Sequence, residues 1–430
     1  MNSYPRRAPS KNSIQTWSAN ALLALADGWR RHAALLLRAV VALLAVYAIL
    51  KLGQEFGRLV FDQSTSGAID LRTRYAETAA WFAGIDFYQT VGQAMDPPGS
   101  LPILWLFFGW MDYGTARWFW AGLNLAALTW MAYLAIRESH ATSRLEAAFA
   151  VLMLLSMNGA AVGLGNGQLG LVILPFLVTG LLLLCSNRGE WRTDILGAVM
   201  ILVALSKPGF TAPFVWLTLF LPRRVRPAVL VVGGYFSLTL FATAFRGADL
   251  ATLIRAWLAN SSTIADQGYA NVYSWLAALG LQQYYAAASL LLLAALGIWL
   301  FLNRDVDAWV LIGVAALVSR LWMYHRIYDD VLIVLPMIAL FRIVKQRAAH
   351  DTISAAAGLL LGLSVFVNLF LNSWEKLRPI VSVIFIGAHA FVWLAMLGFL
   401  LYVASRKEPS SLLTFLHGTN ISLGEARRTQ

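Results

Sequence analysis

Cysteine is almost absent: Cys185 is the only one in 430 residues, which excludes an intrachain disulfide and any cysteine-built metal cage. Charge is scarce as well. Only 13% of the residues are Asp, Glu, Lys or Arg, against 59% hydrophobic, and the mean hydropathy of +0.65 excludes a soluble globule. The apolar runs lack the ten-residue alternation of outer-membrane strands, so helices that satisfy their own backbone groups must cross the bilayer. No unit of 20 to 50 residues repeats, which argues against a solenoid. The first external loop holds no Asp-x-Asp pair, Asp70 and Asp86 being far apart, so an obligatory divalent metal is not expected there. No cofactor is called for either. The formal charge of +11 would point to nucleic acid in a soluble protein. Here Lys and Arg gather in short connections between apolar runs, which is the positive-inside pattern and not a nucleic-acid patch.

What remains is a chain of spans. A bilayer core of about 30 Å takes about 20 helical residues, and runs at 32–50, 115–136, 145–162, 169–185, 229–245, 286–302, 309–322, 331–341, 353–371 and 380–404 qualify or nearly do. The stretch 100–111 is too short for a comfortable crossing, and 195–221 is broken at SKPGF. The fold class is all-α, a polytopic helical membrane protein of about eleven or twelve spans in one domain over 32–405. The tails at 1–31 and 406–430 are expected to be cytoplasmic, with no cleaved signal. Two long polar segments, 51–99 and 246–283, then fall outside. In the first, the periodicity predicts a surface-lying helix over 73–82, with Ala76, Ala79, Ala80 and Phe82 apolar and Arg74, Glu77 and Thr78 polar.

Polar residues inside or beside the spans are the candidates for function, because a charge at the centre of a membrane helix costs about 2.5 to 3.5 kcal/mol on insertion scales. Asp70 stands outside lipid on the first loop, where it is either a catalytic base or an ordinary acid in a solvated loop. Lys207 has no charged neighbour in sequence; it is a ligand for an anion or a lysine snorkelling to the interface. His325 and Arg326 lie in MYHRIYDD, a site element or a connecting loop with internal ion pairs. Asn166 and Gln168 in GNGQ are donors to a ligand or helix-to-helix hydrogen bonds. The expected topology puts all of them on one side. One acid facing several cationic and amide donors suits transfer of a group away from a phosphate, with the acid taking the proton of the attacking hydroxyl. Arg72, Arg74, Tyr75, Tyr269, Tyr273 and Trp275 are candidate acceptor or pocket contacts, or interfacial anchors.

The short motifs IDLRTRY, AWFAGIDFY, DPPGSLPILWLFFGW, ARWFWAGLN, GNGQLGLVILPFL, SKPGFTAPFVWL and WMYHRIYDDVLIVLP span about residues 67 to 340. In that order they resemble the GT-C superfamily of polyprenyl-phosphate-sugar-dependent glycosyltransferases, most closely the bacterial DUF2029 type, glycosyltransferase family 87. That group includes mycobacterial phosphatidylinositol mannoside mannosyltransferases. The resemblance implies a bacterial inner-membrane enzyme with its site facing outward, a polyprenyl-phosphate sugar donor, a lipid or glycan acceptor, and inversion at the anomeric carbon. It places the catalytic acid on Asp70 and donor contacts on Gln168, Lys207 and His325. The family often has Tyr-Pro-Pro before its second span, where this chain has Asp96-Pro97-Pro98. A transporter or flippase for lipid-linked sugars, or a ligase moving a glycan from a polyprenyl diphosphate, would use a similar cationic grip. The inverted repeats of a transporter are not found.

Overall fold

The computed structural model describes residues 11–85, 88, 96–186, 189–246, 249–263, 265–348, 351–375 and 379–406; Asp86 and the tail from 407 lie outside them. In chain order the helices are α1 (Lys11–Val60), α2 (Ile69–Phe82), α3 (Pro98–Gly109), α4 (Tyr113–Glu138), α5 (Arg144–Leu155), α6 (Asn158–Asn166), α7 (Leu169–Ser186), α8 (Trp191–Ala204) and α9 (Pro208–Phe220). They continue as α10 (Arg226–Arg246), α11 (Leu250–Ser262), α12 (Val272–Ala278), α13 (Tyr285–Leu302), α14 (Ala308–Leu321), a 3₁₀ turn (Ile327–Ile333), α15 (Val334–Gln346), α16 (Thr352–Glu375) and α17 (Pro379–Ser405). No strand forms among the described residues. Among the described residues six helices are long and apolar enough to cross a membrane, α5 and α6 form a pair bent by 51° that is a broken span or a re-entrant loop, and four apolar helices are shorter. The protein is a polytopic helical membrane protein.

The long spans turn large apolar side chains outward, such as Leu43 and Ile49 on α1, Val232 and Phe236 on α10, Leu290 and Leu291 on α13, and Phe391 on α17. In water such a surface would drive aggregation; in lipid it is the solvent-facing face. α14 and α15 are instead apolar all round and buried from Trp309 to Leu317 and from Val334 to Leu340, so they form the centre on which the other helices pack.

The helices run between two polar ends. At one, Asp194 takes Arg224 Nη2 at 2.6 Å, Lys345 meets Glu146 at 2.9 Å, and Arg342 Nη1 donates to Glu138 O at 2.5 Å. A cleft of about 440 Å³ opens there among Phe220, Arg223, Arg224, Arg304 and Asp305. None of the residues selected from sequence lines it. At the other end lie α2, α11, the start of α4, the end of α6, the break between α8 and α9, and the 3₁₀ turn.

Three boundaries differ from expectation for identifiable reasons. α1 does not stop at Leu50 but runs to Val60, because Lys51 and Arg58 pair with Glu55 within the helix at 3.4 and 2.6 Å. A charged stretch whose members lie three or four residues apart continues a helix instead of ending it. α2 starts at Ile69, four residues early. Its polar side is not solvated either: Glu77 and Thr78 are fully buried, because Arg74 is shared between Glu77 at 2.5 Å and Asp96 at 2.8 Å. α3, the short apolar stretch, lies along α2 and not across the bundle. Phe82 meets the Trp105 ring at 5.6 Å and Tyr75 donates to Met111 O at 2.7 Å.

α6 is the thinnest element, NGAAVGLGN. A Cβ on Gly159 would come within 2.7 Å of Ile327 O and 3.1 Å of Val331 N, so only glycine lets the helix lie against the 3₁₀ turn. Because the obstacle is backbone, Gly159→Ala is expected to destabilise the protein by about 1–3 kcal/mol, read as a lower midpoint of thermal unfolding in detergent.

Candidate active site

α2 enters without a side-chain cap. Ala68 sits in the left-handed region at φ 50°, and its N–H donates to Gly165 O at 3.3 Å, which fastens the helix start to the end of α6. The turn that follows α6 needs glycine. Gly167 has φ +69°, and a Cβ there would lie 2.7 Å from Leu71 Cβ. Trp120 Nε1 holds the turn from α4 by donating to Gly167 O at 2.9 Å. Asp70, in the first turn of α2, is thereby set beside Asn166 and Gln168, and both amides act on its carboxyl. The placement also puts a carboxylate at the positive end of a helix.

Lys207 approaches from the break between α8 and α9. Its Nζ donates to Gln168 Oε1 at 3.1 Å and to Asp329 Oδ1 at 2.6 Å, and lies 5.0 Å from the Tyr328 ring centre. The anion site read from sequence therefore contains a lysine whose charge is already answered, by a residue 122 positions away. Asp329 Oδ2 also faces His325 Nδ1 at 3.1 Å. A carboxylate only accepts, so the shared hydrogen sits on Nδ1, leaving His325 Nε2 buried with no partner among the described residues. Asp70 Oδ2 is likewise enclosed and unpartnered.

Electrostatics separate the two aspartates. Burial pushes the Asp70 carboxyl above the usual aspartate range, against the opposing pull of Arg74, Asn166, Lys207 and Gln168. Burial would raise Asp329 too, but Lys207 and His325 reverse the sign and hold it well below that range. Burial keeps the His325 imidazole below the ordinary histidine value, so it is neutral at pH 7. The site has one acid of raised proton affinity and another that is a fixed anion, a separation typical of sites that move protons.

The remaining candidates have other partners. Arg72 donates to Ser64 O at 2.8 Å and Gly67 O at 3.3 Å, holding the turn before α2. Arg74 lies one turn from Asp70, within the Glu77–Asp96 pair. Tyr75 is tied to α3. Tyr269 is directed inward and donates to Asp330, while Tyr273 bonds Ser289 at 2.7 Å and stacks on Tyr285. Trp275 is 37% exposed on the outer segment. Arg326 contributes its backbone N–H to Asp329 at 3.2 Å, but its guanidinium turns out to Gln267 at 2.8 Å. MYHRIYDD thus holds one pair of its own, His325 with Asp329 at 3.1 Å, and its Asp330 reaches back to Arg320 on α14 at 2.6 Å. Sequence reasoning did not choose Asp329, Tyr328, Asp96 or Glu77 as site residues. The adjacent acids of DD, in a chain so poor in charge, were the available signal for the first.

The second polar segment is helical. α11 buries Leu253 with Trp81, Tyr88 and Leu101, and Asn260 Nδ2 donates to Tyr88 O at 2.7 Å. The two outer segments therefore cover the same end of the bundle.

No curated protein and no solved structure matches the chain. A family model does, glycosyltransferase family 87, over residues 95–321. The matched segment carries Asn166, Gln168 and Lys207, while Asp70 precedes it and His325 and Asp329 follow it. With more than half of its length matched, in a fold of membrane helices, this chain belongs to glycosyltransferase family 87.

Proposed function

We propose that the protein is an inverting glycosyltransferase that moves a sugar from a polyprenyl-phosphate donor in the membrane to a lipid or glycan acceptor. The observation that carries this reading is the enclosed, unpartnered oxygen of Asp70 beside an amide and ammonium cluster. Asp70 takes the proton of the acceptor hydroxyl. The acceptor oxygen bonds to the anomeric carbon while the bond from that carbon to the phosphate oxygen breaks. The electron pair leaves on the phosphate, whose charge goes from −1 to −2. Lys207 and Gln168 meet that charge.

The arginine-rich end, with Arg137, Arg192, Arg223, Arg224, Arg226, Arg304 and Arg347, is the cytoplasmic one by the positive-inside rule. The site then faces the exterior of a bacterial inner membrane. A donor lying in the bilayer is consistent with a site built where helices end. α2 and α11 form the cover under which an acceptor would enter.

The test is incubation of purified protein with a panel of polyprenyl-phosphate sugars, scoring released polyprenyl phosphate. No release from any donor would overturn the reading. Two further results are expected. The rate should fall as pH drops through the raised Asp70 value, because only the ionised form accepts a proton; the acid limb then lies above the range of an ordinary aspartate. Lys207→Met should weaken donor binding. A hydrogen bond from a charged group is worth about 1.5–3 kcal/mol, or roughly 10- to 100-fold in Kd, measured by titrating the variant with polyprenyl phosphate. The bare Coulomb figure of about 4 kcal/mol for a cation 4 Å away is too large here, because Asp329 already shares the charge.

A further inference from the structure

One carboxylate organises both donor-side groups. Asp329 is 2% exposed and binds Lys207 through Oδ1, and His325 and the Arg326 N–H through Oδ2. Lys207 in turn lies within electrostatic reach of Asp70. An ammonium with nothing to balance it would favour the ionised form of Asp70 and make that acid a weaker proton acceptor. It would also leave the imidazole free to turn.

We propose that Asp329 is a positioning residue, which neutralises Lys207 in the resting enzyme so that Asp70 keeps its basicity, and which fixes the His325 ring with Nε2 toward the donor. This rests on the glycosyl-transfer reading above. When the departing phosphate gains its second charge, Lys207 divides its hydrogen bonds between that phosphate and Asp329. The cation thus counts for more in the transition state than in the resting site, which is the condition for accelerating the chemical step.

The groups facing Asp70 are Arg74 on its own helix, Asn166 and Gln168 on the glycine turn, Lys207 on the α8–α9 break and Tyr328 on the 3₁₀ turn. Those facing Asp329 are Lys207, His325, Tyr324, Tyr328 and Asp330. Asp329→Asn removes one negative charge from this set and changes little else in shape. The field of Lys207 at Asp70 then grows, and the Asp70 midpoint must move to lower pH.

The experiment uses the full chain in nanodiscs. Infrared pH titration, with Asp70→Asn as the blank that identifies the Asp70 carboxyl band, reads the midpoint without any donor. In Asp329→Asn the midpoint is expected below that of the wild type, and in Lys207→Met/Asp329→Asn it returns upward. In the transfer assay the acid limb shifts the same way. Turnover falls on the order of tenfold, a part of the 10²- to 10⁴-fold that a general base contributes, while polyprenyl phosphate binds at least as tightly as before. Asp329→Glu should restore the acid limb. A residue that merely supports the fold would lower turnover and binding together and leave the midpoint in place, and that result would overturn the proposal. Should the wild type transfer sugar from no donor, the functional reading fails, and the infrared midpoints still decide for or against Asp329.

Discussion

Asp70→Asn is expected to cut turnover by about 10²- to 10⁴-fold, the share a positioned general base contributes, while donor binding survives. The substitution keeps the size of the side chain and takes away only its capacity to accept a proton. On the proposed reading the phosphate is met by Lys207, whose hydrogen bonds run to Gln168 and Asp329 and not to Asp70. Removing a negative charge next to Lys207 should leave polyprenyl phosphate bound as tightly or more so. Single-turnover transfer together with equilibrium binding of polyprenyl phosphate separates the two effects. A transporter of lipid-linked sugars needs no base and would be indifferent to the change. Turnover within about threefold of wild type, well short of a general base's share, would remove Asp70 from the mechanism.

The largest effect on stability is expected at Arg320. Its side chain is fully buried, its Nε donates to Asp330 at 2.6 Å, and its guanidinium lies 4.7 Å from the Tyr269 ring centre and 4.5 Å from that of Trp393. It joins the outer segment, the 3₁₀ turn and α17. Burial pushes Asp330 up to about 6 even with this partner present. Arg320→Met leaves that carboxyl buried without its cation, a loss of about 3–5 kcal/mol for breaking such a pair from one side. In the double variant Arg320→Met/Asp330→Asn, where neither charge remains, much of the loss should be recovered. Thermal unfolding in detergent of the two single variants and the double one measures the coupling; strictly additive losses would show that the pair does not act as a unit.

The apolar runs made the fold class readable, since nothing else accommodates so many uncharged residues in succession. Asn166, Gln168 and Lys207 were readable for the complementary reason, because each is a polar residue where its neighbours are apolar. Asp70 was reached through the scarcity of acids. The partner of Lys207 was not readable. Asp329 is 122 residues away, and only packing of the 3₁₀ turn on α6 and α7 brings it there. The face of α2 was misread for a related reason. Glu77 and Thr78 look solvated in a helical projection, but Arg74 and the distant Asp96 make a buried pair out of what one helix presents as a polar stripe. Periodicity reports which residues share a face, and the identity of the opposing surface decides whether that face is wet.

The slender helix Asn158–Asn166 has a mechanical consequence. One end receives the start of α2, which carries Asp70, and its Gly159 side receives the turn that carries Asp329, the partner of His325. It works as a shim between the two elements that hold Asp70 and Asp329. With three glycines and two alanines among nine residues, it has little side-chain bulk to compress, so the separation of Asp70 from Asp329 is set by backbone thickness. On the proposed reading, widening that gap for a bulkier sugar calls for changes on α2 or the 3₁₀ turn, since the spacer itself has nothing left to trim.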